Sequence, residues 1–325
     1  MTPNKNDIHL GAEALLFQPD IDWIIEDVIS AGSVNMLTAD PGKGKTFLTQ
    51  DAGVCVSMGA DWLGKKTTAG NVLFLDEESG QRRLMKRLGD VLRGHSCDGS
   101  HVFYTAGACF NFGKPASIKV LQEMISDNQI KLVIVDSLVD VMLGIDENSA
   151  TEVQGVFQSM RNIAEAEVCA FLIIHHNGKG GDFRGSSAIH GALDLMLGLE
   201  KKDGSLIIDL KSKKARDSEP FEFAAKMNFE PGNFYLTQAV ASVTAKGLSP
   251  AQEYVIQFLD TNGDSTIKDI TDAVSYCSDV AARKAVYDLA KPKMGYVKRT
   301  NTGGSGQVAI YGLTQKGQDY ALLNP

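Results

Sequence analysis

The stretch Val34, Asn35, Met36, Leu37, Thr38, Ala39, Asp40, Pro41, Gly42, Lys43, Gly44, Lys45, Thr46, Phe47, Leu48, Thr49, Gln50 decides how the rest of the chain is read. An apolar run of strand character gives way to small and turn-forming residues, and these lead straight into a helical pattern. Small residues let backbone N–H groups close around phosphate oxygens. The lysine ammonium can meet the β- and γ-phosphates, the hydroxyl can meet Mg²⁺, and the helix N-terminus carries partial positive charge toward the anion. Residues 39–47, with Lys45 and Thr46 as the phosphate and metal ligands, therefore form the candidate phosphate-binding loop. A Gly-rich turn that merely starts a helix is the plain alternative, but the strand before and the helix after are the context the motif demands. Ala39 stands where glycine is commoner, which is tolerable if φ stays negative there.

A magnesium ion at such a loop also needs a carboxylate at the end of a neighbouring buried strand. The run Leu132, Val133, Ile134, Val135, Asp136, Ser137 offers one, and Asp136 lies 91 residues after Lys45. A strand-end aspartate that only starts a turn is its ordinary counterpart. From Trp23 onward, short β-rich runs alternate with longer amphipathic ones, the rhythm of strands and crossover helices in a mainly parallel sheet. Strands are expected at 33–37, 71–75, 132–136, 169–175 and 206–210, and helices at 45–59, 82–93, 117–128 and 151–167. The fold class is α/β.

The flanks differ. Residues 1–20 are polar without apolar periodicity and read as an arm, and 21–240 form the main domain. A linker at 241–249 leads to Pro250, which suits the first turn of a helix because its missing N–H is not needed there. Helical patterns at 251–260, 267–275 and 279–290 are followed by strand-like 295–300, glycines at 303, 304 and 306, and a second strand-like run at 308–313. Three helices and a hairpin predict a winged helix over 250–325, closed by a short helix at 313–322. Its third helix would carry Arg283 and Lys284 toward a major groove, although many winged helices bind protein instead.

With 325 residues, 43% hydrophobic and 22% charged, the chain has globular composition, and its longest apolar runs are far too short to span a membrane. The first 20 residues lack a basic start and an apolar stretch, so a cytoplasmic location is expected. The five cysteines are scattered without a Cys-x-x-Cys pair, which argues against a disulfide frame or a zinc site. The formal charge is −8. From Leu248 onward eight basic residues balance eight acidic ones, so the excess negative charge lies in the main domain. That disfavours non-specific coating of nucleic acid but leaves local basic faces open.

Over residues 21–227 the chain resembles the RecA-like ATPases, and within them the RepA-like hexameric helicases of plasmids and phages. Beyond the phosphate loop, three stretches carry the resemblance. The first is Asn71 to Ser79 with Arg87 and Leu88. The second is Asp136 to Leu138 with Asp146 to Ser149. The third is Phe171 to His176 with Gly178 to Gly180 and Arg184 to Ser187. The resemblance implies a catalytic glutamate at the end of the 71–75 strand. The position of Arg87 favours Glu78 over the adjacent Glu77, and both could instead only cap the following helix. It implies His176 as the sensor of the γ-phosphate, and Lys179 and Arg184 as cations of a loop facing single-stranded DNA in a central channel. It also implies Lys214 and Arg216 as a Lys-x-Arg pair that reaches into a neighbour's site, where an arginine supplied in trans stabilises transition-state charge. Lys211, Lys213, Lys214 and Arg216 could equally form a solvated or nucleic-acid-binding cluster.

The expectation is thus a ring-forming ATPase using ATP and Mg²⁺ on DNA, hexameric by resemblance, and most like a replicative or accessory helicase of a mobile element. An ATP-gated DNA-binding regulator or recombination mediator, or a KaiC-like signalling ATPase with a protein partner, are the other classes the pattern admits.

Overall fold

The computed structural model describes residues 20–178, 185–202, 204–239, 248–273, 278–292, 294–301 and 308–323. The chain divides into two compact units, Met1–Ala239 and Val240–Pro325.

In the first unit a short antiparallel ribbon, β1 (Trp23–Ile25) and β2 (Ile29–Ser30), precedes the strand that carries the loop, β3 (Val34–Ala39). Helix α1 (Lys45–Met58) follows, then β4 (Asn71–Asp76), α2 (Gln81–Gly94), β5 (Val102–Ala106), α3 (Pro115–Asp127), β6 (Ile130–Asp136), α4 (Ala150–Glu167) and β7 (Ala170–His176). A short α5 (Ser187–Ala192) leads to β8 (Leu195–Glu200), β9 (Ile207–Ala215), β10 (Glu222–Glu230) and β11 (Asn233–Ala239). Among the described residues nine of these strands form one sheet in the order β11-β10-β9-β8-β3-β7-β6-β4-β5. The strands from β8 to β5 in that order run parallel, and β9, β10 and β11 extend the sheet as an antiparallel meander.

Side-chain alternation assigns the two faces. Val72, Phe74, Leu132, Ile134 and Leu172 pack in the same cluster as Leu48 and Ala52 of α1 and Leu88 and Val91 of α2. Their neighbours Leu73, Leu75, Val133, Val135, Phe171 and Ile173 pack with Leu121 and Ile125 of α3 and Val153, Val156 and Met160 of α4. Burial on both faces is why these parallel strands read as continuous apolar runs. The result is a RecA-like α/β fold, a large mainly parallel sheet flanked by helices. The parallel strands all end on one edge, where open α/β sheets place their ligands; there Ala39 is in register with His176, and Asp76 with Asp136.

The expected strands and helices are present, with ends shifted by a few residues. Strands β5, β8, β10 and β11 were not expected from the sequence. In β8, Gly198 interrupts an apolar run too short to tell strand from helix by periodicity.

The second unit has α6 (Pro250–Asn262), β12 (Ser265–Thr266), α7 (Ile267–Asp272), α8 (Asp279–Leu289), β13 (Val297–Arg299), β14 (Ile310–Leu313) and α9 (Gln315–Leu323). Its strands form an antiparallel sheet in the order β12-β14-β13 over a core that includes Val255, Ile256, Leu259, Ile270, Val286, Leu289 and Tyr296. Ser249, expected in the linker, instead caps α6: its hydroxyl accepts the Gln252 N–H while the Gln252 side chain accepts the Ser249 N–H. The remaining linker positions, 241–247, and the arm up to residue 19 lie outside the described residues.

Candidate active site

The loop between β3 and α1 has the backbone that phosphate binding requires. Gly42 and Gly44 sit at φ +74° and +99°, which side-chain-bearing residues rarely adopt, and a Cβ on Gly44 would stand 2.9 Å from Cε of Met227. Ala39 ends β3 fully buried and is not among the residues with positive φ, so the departure from glycine there costs nothing. Helix α1 starts without any side-chain cap, leaving its first N–H groups for an anion.

Lys45 is buried, and its ammonium donates to the carbonyls of Ala39 at 2.8 Å and Asp40 at 3.0 Å, with Nδ1 of His176 a further 3.0 Å contact. Burial lowers its pKa, while the charges of Asp136, Glu78 and Asp40 act the other way. The Asn177 side-chain amide donates to the Asp40 carboxylate at 3.1 Å, joining the loop to the end of β7. The Thr46 hydroxyl donates to Oδ2 of Asp136 at 2.8 Å. Oδ1 of Asp136 is buried with no hydrogen-bond partner among the described residues. Burial pushes this carboxyl up to about 7, opposed by the Thr46 hydroxyl. A hydroxyl beside an orphaned carboxylate oxygen is a hard-donor set of the kind Mg²⁺ takes, and a cation there would draw the pKa back down.

The two adjacent glutamates part company. The Glu77 carboxylate turns away and accepts the N–H groups of Ala108 at 3.1 Å, Cys109 at 3.1 Å and Phe110 at 3.2 Å. Glu78 faces the cleft, its Oε2 3.5 Å from Nε2 of His176. With Nδ1 turned to the Lys45 ammonium, His176 presents its other nitrogen to Glu78, so the imidazole stands between the two charged groups. Gly42, Gly44, Lys45, Thr46, Phe47, Glu78, Arg87, Asp136, Ile174 and His176 line one open cleft. Phe47 forms its wall, packed on Phe234 at 4.4 Å between ring centroids and on Phe229 at 5.5 Å. Arg87 donates to the Ser79 hydroxyl at 3.2 Å.

Lys214 and Arg216 do not line this cleft. The Lys214 ammonium donates to the carbonyls of His190 at 2.6 Å and Gly191 at 3.2 Å; Arg216 donates to the Gly191 carbonyl at 2.8 Å and to Asp194 at 3.2 Å. Both cations thus reach carbonyls of the last turn of α5. Burial, aided by the charge of Arg216, lowers the Lys214 pKa. Lys179 and Arg184 lie outside the described residues. Arg283 and Lys284 are exposed on α8 of the second unit.

One residue of the site escaped the sequence reading. Asp76, buried at the end of β4, accepts the N–H groups of Glu78 at 3.0 Å and Ser79 at 2.6 Å, and so sets the turn that aims Glu78. The signal was present, since Asp76 ends its apolar run as Asp136 ends its own.

Among the described residues no helix is long and apolar enough to cross a membrane. A search of curated proteins finds none that matches this chain. A family model described as an AAA domain matches residues 11–182, more than half of the chain. That span takes in the phosphate loop, both glutamates, Asp136 and His176, and with the RecA-like fold it shows that the chain belongs to this family of nucleotide-binding, nucleotide-hydrolysing ATPase domains.

Proposed function

We propose that the protein is a ring-forming ATPase that uses ATP and Mg²⁺ to act on DNA, of the RepA-like helicase kind that serves replication of a plasmid, phage or other mobile element. The observation that carries the reading is a hydrolytic cleft on one chain combined with two cations, Lys214 and Arg216, displayed away from it. Arg216 is half exposed, so its guanidinium can serve the phosphates of a neighbouring copy.

In this mechanism Lys45 exchanges the carbonyls of Ala39 and Asp40 for phosphate oxygens, and the Thr46 hydroxyl turns from Asp136 toward the metal. Bound Mg²⁺ would neutralise charge on the β- and γ-phosphates. Glu78 orients the attacking water and takes its proton. His176, between Lys45 and Glu78, relays loss of the γ-phosphate to the segment that follows β7. Lys179 and Arg184 belong to that segment, and their chemistry suits the backbone of single-stranded DNA. The order helix, short strand, two helices and two strands supports reading the second unit as a winged helix. Its α8 exposes Arg283 and Lys284 beside Val280 and Tyr287, which are 77% and 50% exposed. Cations interleaved with apolar side chains on one helix face suit duplex DNA.

Strand separation of a forked duplex under Mg-ATP tests the proposal, with ATPase activity rising when single-stranded DNA is added. DNA-stimulated hydrolysis without displacement would turn the reading to an ATP-gated regulator or recombination mediator. Hydrolysis indifferent to DNA would turn it to a signalling ATPase. For the shared site, Arg216→Ala and Glu78→Gln chains, each inactive alone, should recover part of the wild-type rate when mixed. No recovery counts against a finger supplied in trans.

A further inference from the structure

We propose that Asp76 is a second carboxylate of the magnesium site, holding the ion through water beside Asp136 and Thr46. The inference rests on the reading of the cleft as a Mg-nucleotide site and extends that site to Asp76. Asp76 and Asp136 are the last residues of adjacent parallel strands, paired in register. Paired residues of neighbouring strands point to the same face of a sheet. Both are buried, at 2% and 6% exposure.

Their hydrogen bonding leaves a specific deficit. Oδ1 of Asp76 is used by the N–H groups of Glu78 and Ser79, and Oδ2 of Asp136 by the Thr46 hydroxyl. The other oxygens, Oδ2 of Asp76 and Oδ1 of Asp136, are buried without a partner among the described residues, as is Oε1 of Gln50. These three residues and Thr46 line one small cavity, and Thr46 and Asp136 line the nucleotide cleft as well. The cavity therefore lies directly behind the expected metal position. Three acceptors gathered in one buried space, two of them carboxylate oxygens, are tolerable only if something supplies positive charge or protons to them. A hydrated cation on Thr46 and Asp136 does so, with one of its waters donating to Asp76. The same carboxylate then holds the metal's water with one oxygen and the backbone of Glu78 with the other, which ties metal occupancy to the aim of the base.

The probe is Mn²⁺ in place of Mg²⁺, with free Mn²⁺ followed by electron paramagnetic resonance in the presence of saturating ATPγS. Asp76→Asn keeps an oxygen for the Glu78 and Ser79 N–H groups and removes the charge. We expect it to weaken Mn²⁺ binding by about tenfold or more. Binding of a fluorescent ADP in EDTA, and the thermal midpoint, should match wild type. Unchanged Mn²⁺ affinity in Asp76→Asn, alongside loss of binding in Asp136→Asn, overturns the proposal. A parallel fall in metal-free nucleotide binding and thermal midpoint overturns it too, since it would assign Asp76 to the turn alone. Wild-type protein that binds no nucleotide with Mn²⁺ would instead remove the nucleotide-site reading itself.

Discussion

Lys45→Ala is expected to lower the turnover number for ATP hydrolysis by at least about a hundredfold, the scale of removing one preorganised donor from developing charge. In the free chain the ammonium is held by the carbonyls of Ala39 and Asp40 and by His176, at distances of 2.8 to 3.0 Å. Those are the contacts of a group waiting for a better acceptor. Its charge is also the one set against Asp136, Glu78 and Asp40. Without it, a polyphosphate would enter a pocket of like charge, and affinity should fall together with rate. The fold should persist. Because burial lowers the folded-state pKa below the ordinary lysine value of 10.5, keeping Lys45 charged opposes folding at neutral pH. The opposition fades as pH rises from the folded pKa toward 10.5, and the alanine variant lacks it at every pH. Phosphate release with and without single-stranded DNA, alongside a thermal melt, checks both halves. Full activity in a well-folded variant would remove the central assignment.

How much of this site could be read in the sequence depends on how far each contact reaches along the chain. The loop was legible because its requirements are local: a strand, two glycines, a lysine, a hydroxyl and a helix follow within 13 residues, Val34 to Thr46. Asp136 was legible because a continuous apolar run ends on it, and ends there for the same reason that β6 does. The choice between Glu77 and Glu78 was not settled by local pattern, since both follow the same strand. What separates them is the backbone at Ala108 to Phe110, more than 30 residues away, which turns its N–H groups toward Glu77. Asp76 was passed over for a related reason. It ends an apolar run as Asp136 does, but two further acids follow it directly, and the register with Asp136 is what sets it apart from them. Lys214 and Arg216 were legible as a pair, but their anchorage on His190, Gly191 and Asp194 depends on β8, a strand the sequence concealed. The outer strands β10 and β11 were concealed because partial exposure replaces the continuous apolar run of the central strands with a mixed pattern.

The glutamate pair allows one measurement to separate chemistry from architecture. Glu78→Gln should lower turnover by about a hundredfold to ten-thousandfold, the range for loss of a positioned general base. Nucleotide affinity should be unchanged or tighter, because a neutral amide beside Lys45 and His176 removes a negative charge from the phosphate pocket. Glu77→Gln should do the reverse. Its amide oxygen can still accept from Ala108 and Phe110, but the NH₂ group replaces the oxygen that accepted from Cys109, setting donor against donor. Because that contact is exposed and water can take the freed N–H, the loss is that of one net hydrogen bond, about 0.5–1.5 kcal/mol. The thermal midpoint should therefore fall, with turnover per folded molecule close to wild type. Single-turnover hydrolysis and thermal melts on the two variants decide the matter. If Glu77→Gln proves catalytically dead and fully stable while Glu78→Gln turns over normally, the base is Glu77, and its three backbone partners must release it when nucleotide binds.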